Sequence, residues 1–198
     1  SFSRNVGIAN ATHEYIYFLD ADDLMFKHTI ANLRRAVSVA KPDIVFTKAI
    51  FSNSSKTHPS RVIFQFTEKI DRELFQIVDP FGLLAVEFPM VGSNFAVRNF
   101  TNLRFHNDEF QFEDCLFIFE HALQTKRIVY LNQFSIVYNQ DSLHNLSQKP
   151  LSDTQQTLLP RLYQRARNSG YPDIASHILL IWMSYLATRS PNRRVVLK

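Results

Sequence analysis

The sequence has 198 residues, of which 45% are hydrophobic and 20% charged, a composition typical of a folded domain and not of a disordered chain. The net charge of +4 favours anionic partners, but no basic run is interleaved with aromatic residues, which argues against a nucleic-acid groove. A single cysteine, Cys115, excludes an internal disulfide and every metal site built from several cysteines.

The first part of the chain predicts a helix, a strand, a second helix and a second strand. The helix covers residues 4–11, and the strand runs from Tyr15 to Leu19. Apolar residues at helical spacing predict the second helix over residues 30–40, which Pro42 ends before a strand over residues 44–47. This order is typical of a β-α-β unit, and we expect its two strands to pair in parallel.

Further strands and helices follow along the chain. Apolar runs and alternation predict a helix over residues 115–124 and strands over residues 61–66, 93–97, 128–131 and 135–138. Two later helical patterns, over residues 154–168 and 174–188, predict a helical appendage. Its longest apolar stretch is about half of the ~20 residues that span a bilayer, so we expect no membrane-spanning helix.

Three carboxylates follow the first strand within four residues: Asp20, Asp22 and Asp23. Aspartate is uncommon in strands and costly to bury unpaired, so such a cluster usually faces a cation or a reacting group. On an extended backbone Asp20 and Asp22 point to the same side, where both reach one hard cation held with a substrate diphosphate. The alternative is that these acids cap the next helix and contact solvent.

A second acidic pair, Glu113-Asp114, lies about ninety residues later, directly before the apolar helix. Two acids at this position suit the positive end of the helix dipole, and for the pair alone this structural role is the simpler interpretation. A helix start at the mouth of a cleft also suits a general base.

Two segments of the chain resemble the central signature of family 2 glycosyltransferases with the GT-A fold: Ser3-Arg4-Asn5-Val6-Gly7-Ile8-Ala9-Asn10-Ala11 and Tyr15-Ile16-Tyr17-Phe18-Leu19-Asp20-Ala21-Asp22-Asp23. In that family an Arg-Asn-x-Gly-Ile helix leads to the strand that carries Asp-x-Asp-Asp, and a Glu-Asp pair follows some ninety residues later. The resemblance covers roughly residues 1–147. It implies an α/β fold with a Rossmann-like GT-A sheet flanked by helices, as in nucleotide-diphospho-sugar transferases.

This resemblance implies metal-dependent transfer of a sugar from a nucleotide-diphosphate donor, with inversion at the anomeric carbon. It makes Asp22 the leading ligand of a Mn²⁺ or Mg²⁺ cofactor. Asp20 would contact the sugar or ribose of the donor and share in the metal site, and Asp23 would support that site. Arg4 would hold the nucleotide.

The same resemblance implies that Asp114 is the general base for the acceptor hydroxyl, with Glu113 as its neighbour or substitute. His144, in the loop after the last core strand, is a candidate for a further contact with the metal or the diphosphate. An ordinary exposed loop histidine is the simpler interpretation of His144.

The family's opening segment, a strand, a helix and a second strand that hold the base and ribose, has no counterpart in this sequence. We therefore expect a fragment, with residues 1–147 as the carboxyl-terminal part of a GT-A domain and residues 148–198 as the helical appendage. By family analogy the acceptor is a cell-surface glycan or a lipid-linked saccharide. The expected location is the cytoplasm, with peripheral association at the cytoplasmic membrane face.

Two alternatives stay open at this point. Phosphohydrolases of the haloacid dehalogenase type also begin with a strand ending in Asp-x-Asp and use the first aspartate as nucleophile, although they usually have Thr or Val where Asp23 stands. The missing opening segment instead favours a truncated GT-A module with a structural or interaction function and no catalysis.

Overall fold

The computed structural model describes residues 1–59, 67–78, 94–100, 103–106, 113–125, 127–141 and 158–168, together with residues 170, 172, 175 and 176. Within these ranges the helices are α1 (Phe2–Asn10), α2 (Thr29–Ala40), α3 (Glu113–Gln124) and α4 (Leu158–Asn168). The strands are β1 (Tyr15–Tyr17), β2 (Leu24–Met25), β3 (Ile44–Ser52), β4 (Thr57–Pro59), β5 (Thr67–Asp71), β6 (Leu74–Ile77), β7 (Phe95–Arg98) and β8 (Ile128–Asn139). The predicted order of the first four elements is confirmed, with the short strand β2 added before α2.

The eight strands of the described residues form one sheet in the order β1-β7-β3-β8-β6-β5, with β2 paired to β8 and β4 to β3. Strands β3 and β8 pair in parallel, and all other pairs are antiparallel. The expected direct pairing of β1 with β3 is wrong. Strand β7, which comes much later in the chain, lies between them and is antiparallel to both, so β1 and β3 run in the same direction without sharing hydrogen bonds.

Side chains alternate between two apolar layers on the faces of the sheet. Ile44 and Phe46 of β3 belong to the layer that contains Ile8 of α1 and Ile118 of α3. The residue between them, Val45, belongs to the layer formed with α2. This alternation is the two-residue period of a strand buried on both faces. The sheet is therefore flanked by helices on both sides, as predicted.

Strand β8 corrects the prediction of two short strands in this region. It is a single strand of 12 residues, although its register against β3 shifts between Leu131 and Phe134. The polar pair Asn132-Gln133 breaks the apolar pattern at that point, but its groups still bond to neighbouring elements: the Asn132 N–H donates to the Glu73 carbonyl at 2.8 Å. The interruption is therefore a bulge and not a turn.

Two later predictions fall on residues that the structure does not describe. The strand predicted over residues 61–66 lies outside the described ranges, and so does the helix over residues 174–188 apart from residues 175 and 176. The other appendage helix is confirmed from Leu158 onward. No helix among the described residues has the length and apolar character needed to cross a membrane.

A cluster of phenyl rings links the end of β1 to α3. Phe18 makes edge contacts with Phe95, Phe105 and Phe117, with ring centroids 6.0, 5.3 and 5.8 Å apart. The rings of Phe105 and Phe117 stack with 4.0 Å between their centroids. Phe18 lies two residues before the first acid, and Phe117 lies one helical turn after Glu113. Burial of these rings therefore brings the two acidic segments to the same part of the fold.

Candidate active site

Arg4 on α1 joins the two acidic segments. Its Nη2 donates to both carboxylate oxygens of Asp20, at 2.8 and 3.0 Å, and its Nη1 donates to Oε1 of Glu113 at 2.6 Å. Asp20 follows β1 and Glu113 opens α3, so acids about ninety residues apart in the chain meet on one guanidinium. The structure therefore brings three of the predicted site residues into contact.

This cluster is partly shielded from water. The exposed fractions of the side chains are 18% for Arg4, 34% for Asp20 and 16% for Glu113. Burial works against the charge of Arg4, but the two carboxylates outweigh it and raise the pKa of the guanidinium above its ordinary value. Arg4 also lies over the ring of Phe105, with 5.4 Å between its guanidinium carbon and the ring centroid. The guanidinium of Arg4 therefore stays charged, and its two ion pairs and the Phe105 ring fix its orientation.

The three aspartates after β1 lie in a turn that gives each of them different surroundings. The N–H of Asp23 donates to the carbonyl of Asp20 at 3.1 Å, which closes the turn. Asp23 is buried, and its Oδ1 accepts a hydrogen bond at 3.1 Å from the N–H of Asn139 at the end of β8. Asp22 is exposed in the middle of the turn. Asp20 thus faces α1, Asp23 is tied to β8, and Asp22 is open to solvent.

The expected extended geometry of the Asp-x-Asp pair is wrong. Strand β1 ends at Tyr17, and the turn sends Asp20 and Asp22 into different environments, in keeping with the preference of aspartate for turns. Capping of the next helix is not their function either, since α2 has His28 at its N-cap and no side-chain cap hydrogen bond. That Asp20 and Asp22 bind the same metal ion remains a prediction.

Asn5, beside Arg4 on α1, has a function that sequence reasoning missed. Its side-chain amide donates to the carbonyl of Phe105 and accepts from the N–H of Phe105, both at 2.7 Å. Because the Phe105 ring stacks on Phe117, Asn5 anchors the segment that precedes α3 while Arg4 binds the first residue of α3. The Arg-Asn motif itself is the only sequence signal of this function.

Helix α3 begins with the pair of acids predicted to be catalytic. Glu113 and Asp114 lie in its first turn, where the helix dipole favours negative charge. The predicted helix is confirmed and begins two residues earlier than expected. Asp114 is half-buried, and its action as a base stays a prediction. The third candidate, His144, lies outside the described residues.

The carboxylates of the acidic turn are the available oxygen donors for a metal ion at this site. Among the described residues no group of three or more His, Cys, Asp or Glu side chains is arranged to hold a metal ion. Mg²⁺ in phosphate-binding sites needs fewer protein ligands, because it takes one or two carboxylates and completes its shell with phosphate oxygens and water. Asp22 fits this requirement, since its carboxylate is exposed while Asp20 and Asp23 are engaged by protein groups.

The family model described as glycosyl transferase family 2 matches residues 2–99, which contain α1, the acidic turn and strands β1 to β7. The chain belongs to glycosyl transferase family 2. The resemblance seen in the sequence is therefore confirmed, and membership of this family decides against the phosphohydrolase alternative. No curated protein sequence gives a significant match to this family 2 chain.

Solved structures of S. aureus TarS share the fold of this family 2 chain. The crystal structure of TarS 1–349 in complex with UDP-GlcNAc matches with a TM-score of 0.71 at 16% identity, over 98% of this chain and 55% of that one. The complex with UDP matches with a TM-score of 0.67 at 15% identity, over 96% and 52% of the two chains. The expected GT-A fold is confirmed by these matches. The chain spans about half of the length of these TarS structures.

Proposed function

We propose that this chain carries the acidic part of the active site of a glycosyltransferase that uses a nucleotide-diphosphate sugar. The observation that supports it is the Arg4 bridge, which holds Asp20 at the end of β1 against Glu113 at the start of α3. A transferase needs acids for the donor and for the acceptor in one cleft. Family membership, and the fold shared with TarS, support the same class of reaction.

In this proposal Asp22 holds Mn²⁺ or Mg²⁺ next to the diphosphate of the donor. An ion held there would supply positive charge to offset the negative charge that develops on the departing diphosphate. Asp20 contacts the sugar or ribose of the donor. Asp23 keeps the turn in place through its hydrogen bond to Asn139, so that Asp22 stays exposed.

Asp114 is the proposed general base. The acceptor hydroxyl oxygen forms a bond to the anomeric carbon while the bond from that carbon to the diphosphate breaks, and the electron pair leaves with the nucleoside diphosphate. The hydroxyl proton passes to the Asp114 carboxylate, and attack opposite the leaving group inverts the anomeric centre. Glu113 is the weaker candidate for this base, because its carboxylate is engaged by the guanidinium of Arg4.

The proposed donor class is a uridine diphosphate sugar, since TarS was crystallised with UDP-GlcNAc and with UDP. For the acceptor we propose a cell-surface glycan or a lipid-linked saccharide. The proposed location is the cytoplasm, with association at the cytoplasmic membrane face. Because the TarS complexes contain UDP-GlcNAc and UDP, the first donors to test are UDP-GlcNAc, UDP-glucose and UDP-galactose.

The test is a donor-turnover assay on the protein in its full natural length. With Mn²⁺ the wild type should release UDP from one of these donors, and EDTA should abolish the release. Asp22→Asn and Asp114→Asn should each lower kcat by at least about 100-fold, through loss of the metal ligand and of the base. Asp114→Asn should bind UDP like the wild type, because Asp114 acts on the acceptor.

Glu68→Gln is the matched control for both variants. Glu68 is exposed on β5, at the opposite end of the strand order from β1, and its substitution should leave turnover unchanged. Wild-type turnover by Asp114→Asn would refute the assignment of the base. If the wild type turned over none of the three UDP-sugars and no GDP-mannose, the proposed function would be wrong.

A further inference from the structure

Arg4 is the side chain in which the two halves of the proposed site meet. One terminal nitrogen binds Asp20 and the other binds Glu113, so both ends of the planar guanidinium fork are occupied by protein carboxylates. The family resemblance assigns Arg4 to the nucleotide. Its contacts in this structure indicate a different function.

We propose that Arg4 is a positioning residue that sets the spacing between the donor-side turn at Asp20 and the acceptor-side helix start at Glu113. This inference rests on the proposed function, since the two sides are those of a sugar-transfer site. Arg4 acts on the reaction through the two carboxylates and makes no contact with the reacting atoms.

The guanidinium is itself held in place by its surroundings. Its carbon lies 5.4 Å from the centroid of the Phe105 ring, and Asn5 anchors the backbone of Phe105 with two hydrogen bonds of 2.7 Å. Helix α1, which carries Arg4 and Asn5, packs against the sheet through Ile8, which is 4% exposed. A fork fixed in this way specifies where both carboxylates lie, which a flexible lysine ammonium does not do.

The bridge also separates the functions of the neighbouring acids on α3. Glu113 is used for the ion pair that orients the start of the helix, and Asp114 follows it by one residue. The position of the Asp114 carboxylate relative to the acidic turn therefore depends on the Arg4–Glu113 contact. Asp114 is the acid of this pair that the proposed reaction uses.

Loss of Arg4 would remove the positive charge that offsets the repulsion between the carboxylates of Asp20 and Glu113. Glu113 is only 16% exposed, so water screens the repulsion poorly, and the turn and the start of α3 would move apart. A displacement of about 1 Å between reacting groups lowers turnover by about 100-fold. Binding of the nucleotide, by contrast, should change little, because no donor contact is removed.

The test compares kcat and KM for UDP-GlcNAc, or for whichever UDP-sugar the wild type turns over best, in the full-length protein. For Arg4→Met we expect kcat to fall by about 100-fold and the donor KM to stay within about threefold of the wild type. Arg4→Lys should restore little of the loss, because one ammonium does not reproduce the fork. Arg35→Met is the matched control, since Arg35 also bridges two carboxylates, Asp71 and Glu73, on the surface.

A double-mutant cycle with Glu113→Gln separates positioning from a general loss of stability. Because Glu113→Gln removes the charge that Arg4 neutralises, the double variant should turn over no more slowly than Arg4→Met alone, and it should melt at a higher temperature than Arg4→Met. If Arg4→Met does not fold, Arg4→Gln takes its place, since the NH₂ group of a glutamine amide can still donate to a carboxylate.

The outcomes distinguish this inference from the proposed function. A donor KM raised more than about tenfold with kcat near the wild type, or additive effects of the two substitutions, would show that Arg4 binds the nucleotide and would overturn the inference alone. A loss of kcat by Arg35→Met equal to that of Arg4→Met would also overturn it. Absence of donor turnover by the wild type would refute the proposed function and this inference with it.

Discussion

Asn5 joins α1 to the segment before α3, because its amide both donates to and accepts from the backbone of Phe105. Phe105 is 2% exposed, so water cannot easily replace the lost partner of its N–H or its carbonyl. Two buried backbone groups thus depend on one side chain.

Asn5→Ala should therefore destabilise the protein by about 2 kcal/mol, the cost of leaving buried polar groups without partners. Urea unfolding followed by circular dichroism measures the change. Asn10→Ala on the same helix is the control: the Asn10 side chain is exposed and bonds the Val6 carbonyl one turn earlier. Its substitution should cost less than about 0.5 kcal/mol. Equal losses for the two variants would contradict the function given to Asn5.

At the same scale, the sequence identifies the acids but not their partners. The positions of Asp20, Asp22 and Asp23 after an apolar strand predict a functional segment, and in the structure Asp20 and Glu113 bind the same guanidinium. The division of the three acids among α1, solvent and β8 depends on a turn and on Asn139 of β8, more than a hundred residues away. Local sequence carries no signal for such a contact.

At the scale of elements, His121 helps to attach α3 to the sheet. Its ring stacks on Phe117 within α3, with centroids 5.6 Å apart, and it makes a hydrogen bond with the backbone of Arg98 at the end of β7. Burial lowers the pKa of His121 to about 4, although the charge of Asp43 and the hydrogen bond with Arg98 oppose this effect. The folded protein therefore keeps His121 neutral at a pH where the unfolded chain binds a proton.

Acid should lower the stability of the protein through His121, over the pH range between the two pKa values of this residue. Between pH 6.5 and about 4 the unfolded state takes up a proton at His121 that the folded state does not, so the free energy of unfolding falls as the pH is lowered through this window. Over the whole window, His121 alone lowers the free energy of unfolding by about 3 kcal/mol. Well above pH 6.5 His121 is neutral in both states and causes no such loss.

The measurement is urea unfolding at several pH values for the wild type and for His121→Phe, which keeps an aromatic ring at this position. The difference in unfolding free energy between the two proteins should shift in favour of the variant as the pH falls. His13→Phe, at an exposed position, is the control and should follow the wild type. If the difference in unfolding free energy between the wild type and His121→Phe stayed constant from pH 7 to pH 4, the prediction would be refuted.

Apolar periodicity predicts the helices of this fold but not the order of its strands. Helices α1, α2 and α3 follow from apolar periodicity and are confirmed to within two residues at their ends. The place of β7 between β1 and β3 is not predictable from the same pattern, because strand order depends on pairing between residues far apart in the chain. The bulge in β8 escapes prediction for a related reason: Asn132 bonds to Glu73 in the turn before β6, and Gln133 bonds to Asn32 on α2, so neither partner lies in their own segment.

In the molecule as a whole, the two motifs of the sequence, Arg-Asn on α1 and the acidic turn after β1, meet the start of the apolar helix α3. The Arg-Asn helix, the acidic turn and the Glu-Asp helix converge because Phe18, Phe105 and Phe117 are buried together beneath them. This convergence supports the proposed glycosyltransferase site, and the chain spans about half of the TarS structures that share its fold. The sugar donor and the acceptor depend on surfaces that neither motif specifies.

In the proposed reaction the exposed carboxylate of Asp22 holds a metal ion at the same site as the acids of α3. Anomalous diffraction from crystals of the protein grown with Mn²⁺ and UDP tests it most directly. We expect one manganese peak in bonding contact with Asp22 and with the UDP diphosphate, on the side of the turn that faces Asp114, and no such peak in Asp22→Asn crystals. Bound UDP with no manganese at Asp22, or manganese at Asp22 on a surface remote from Asp114, would contradict the account.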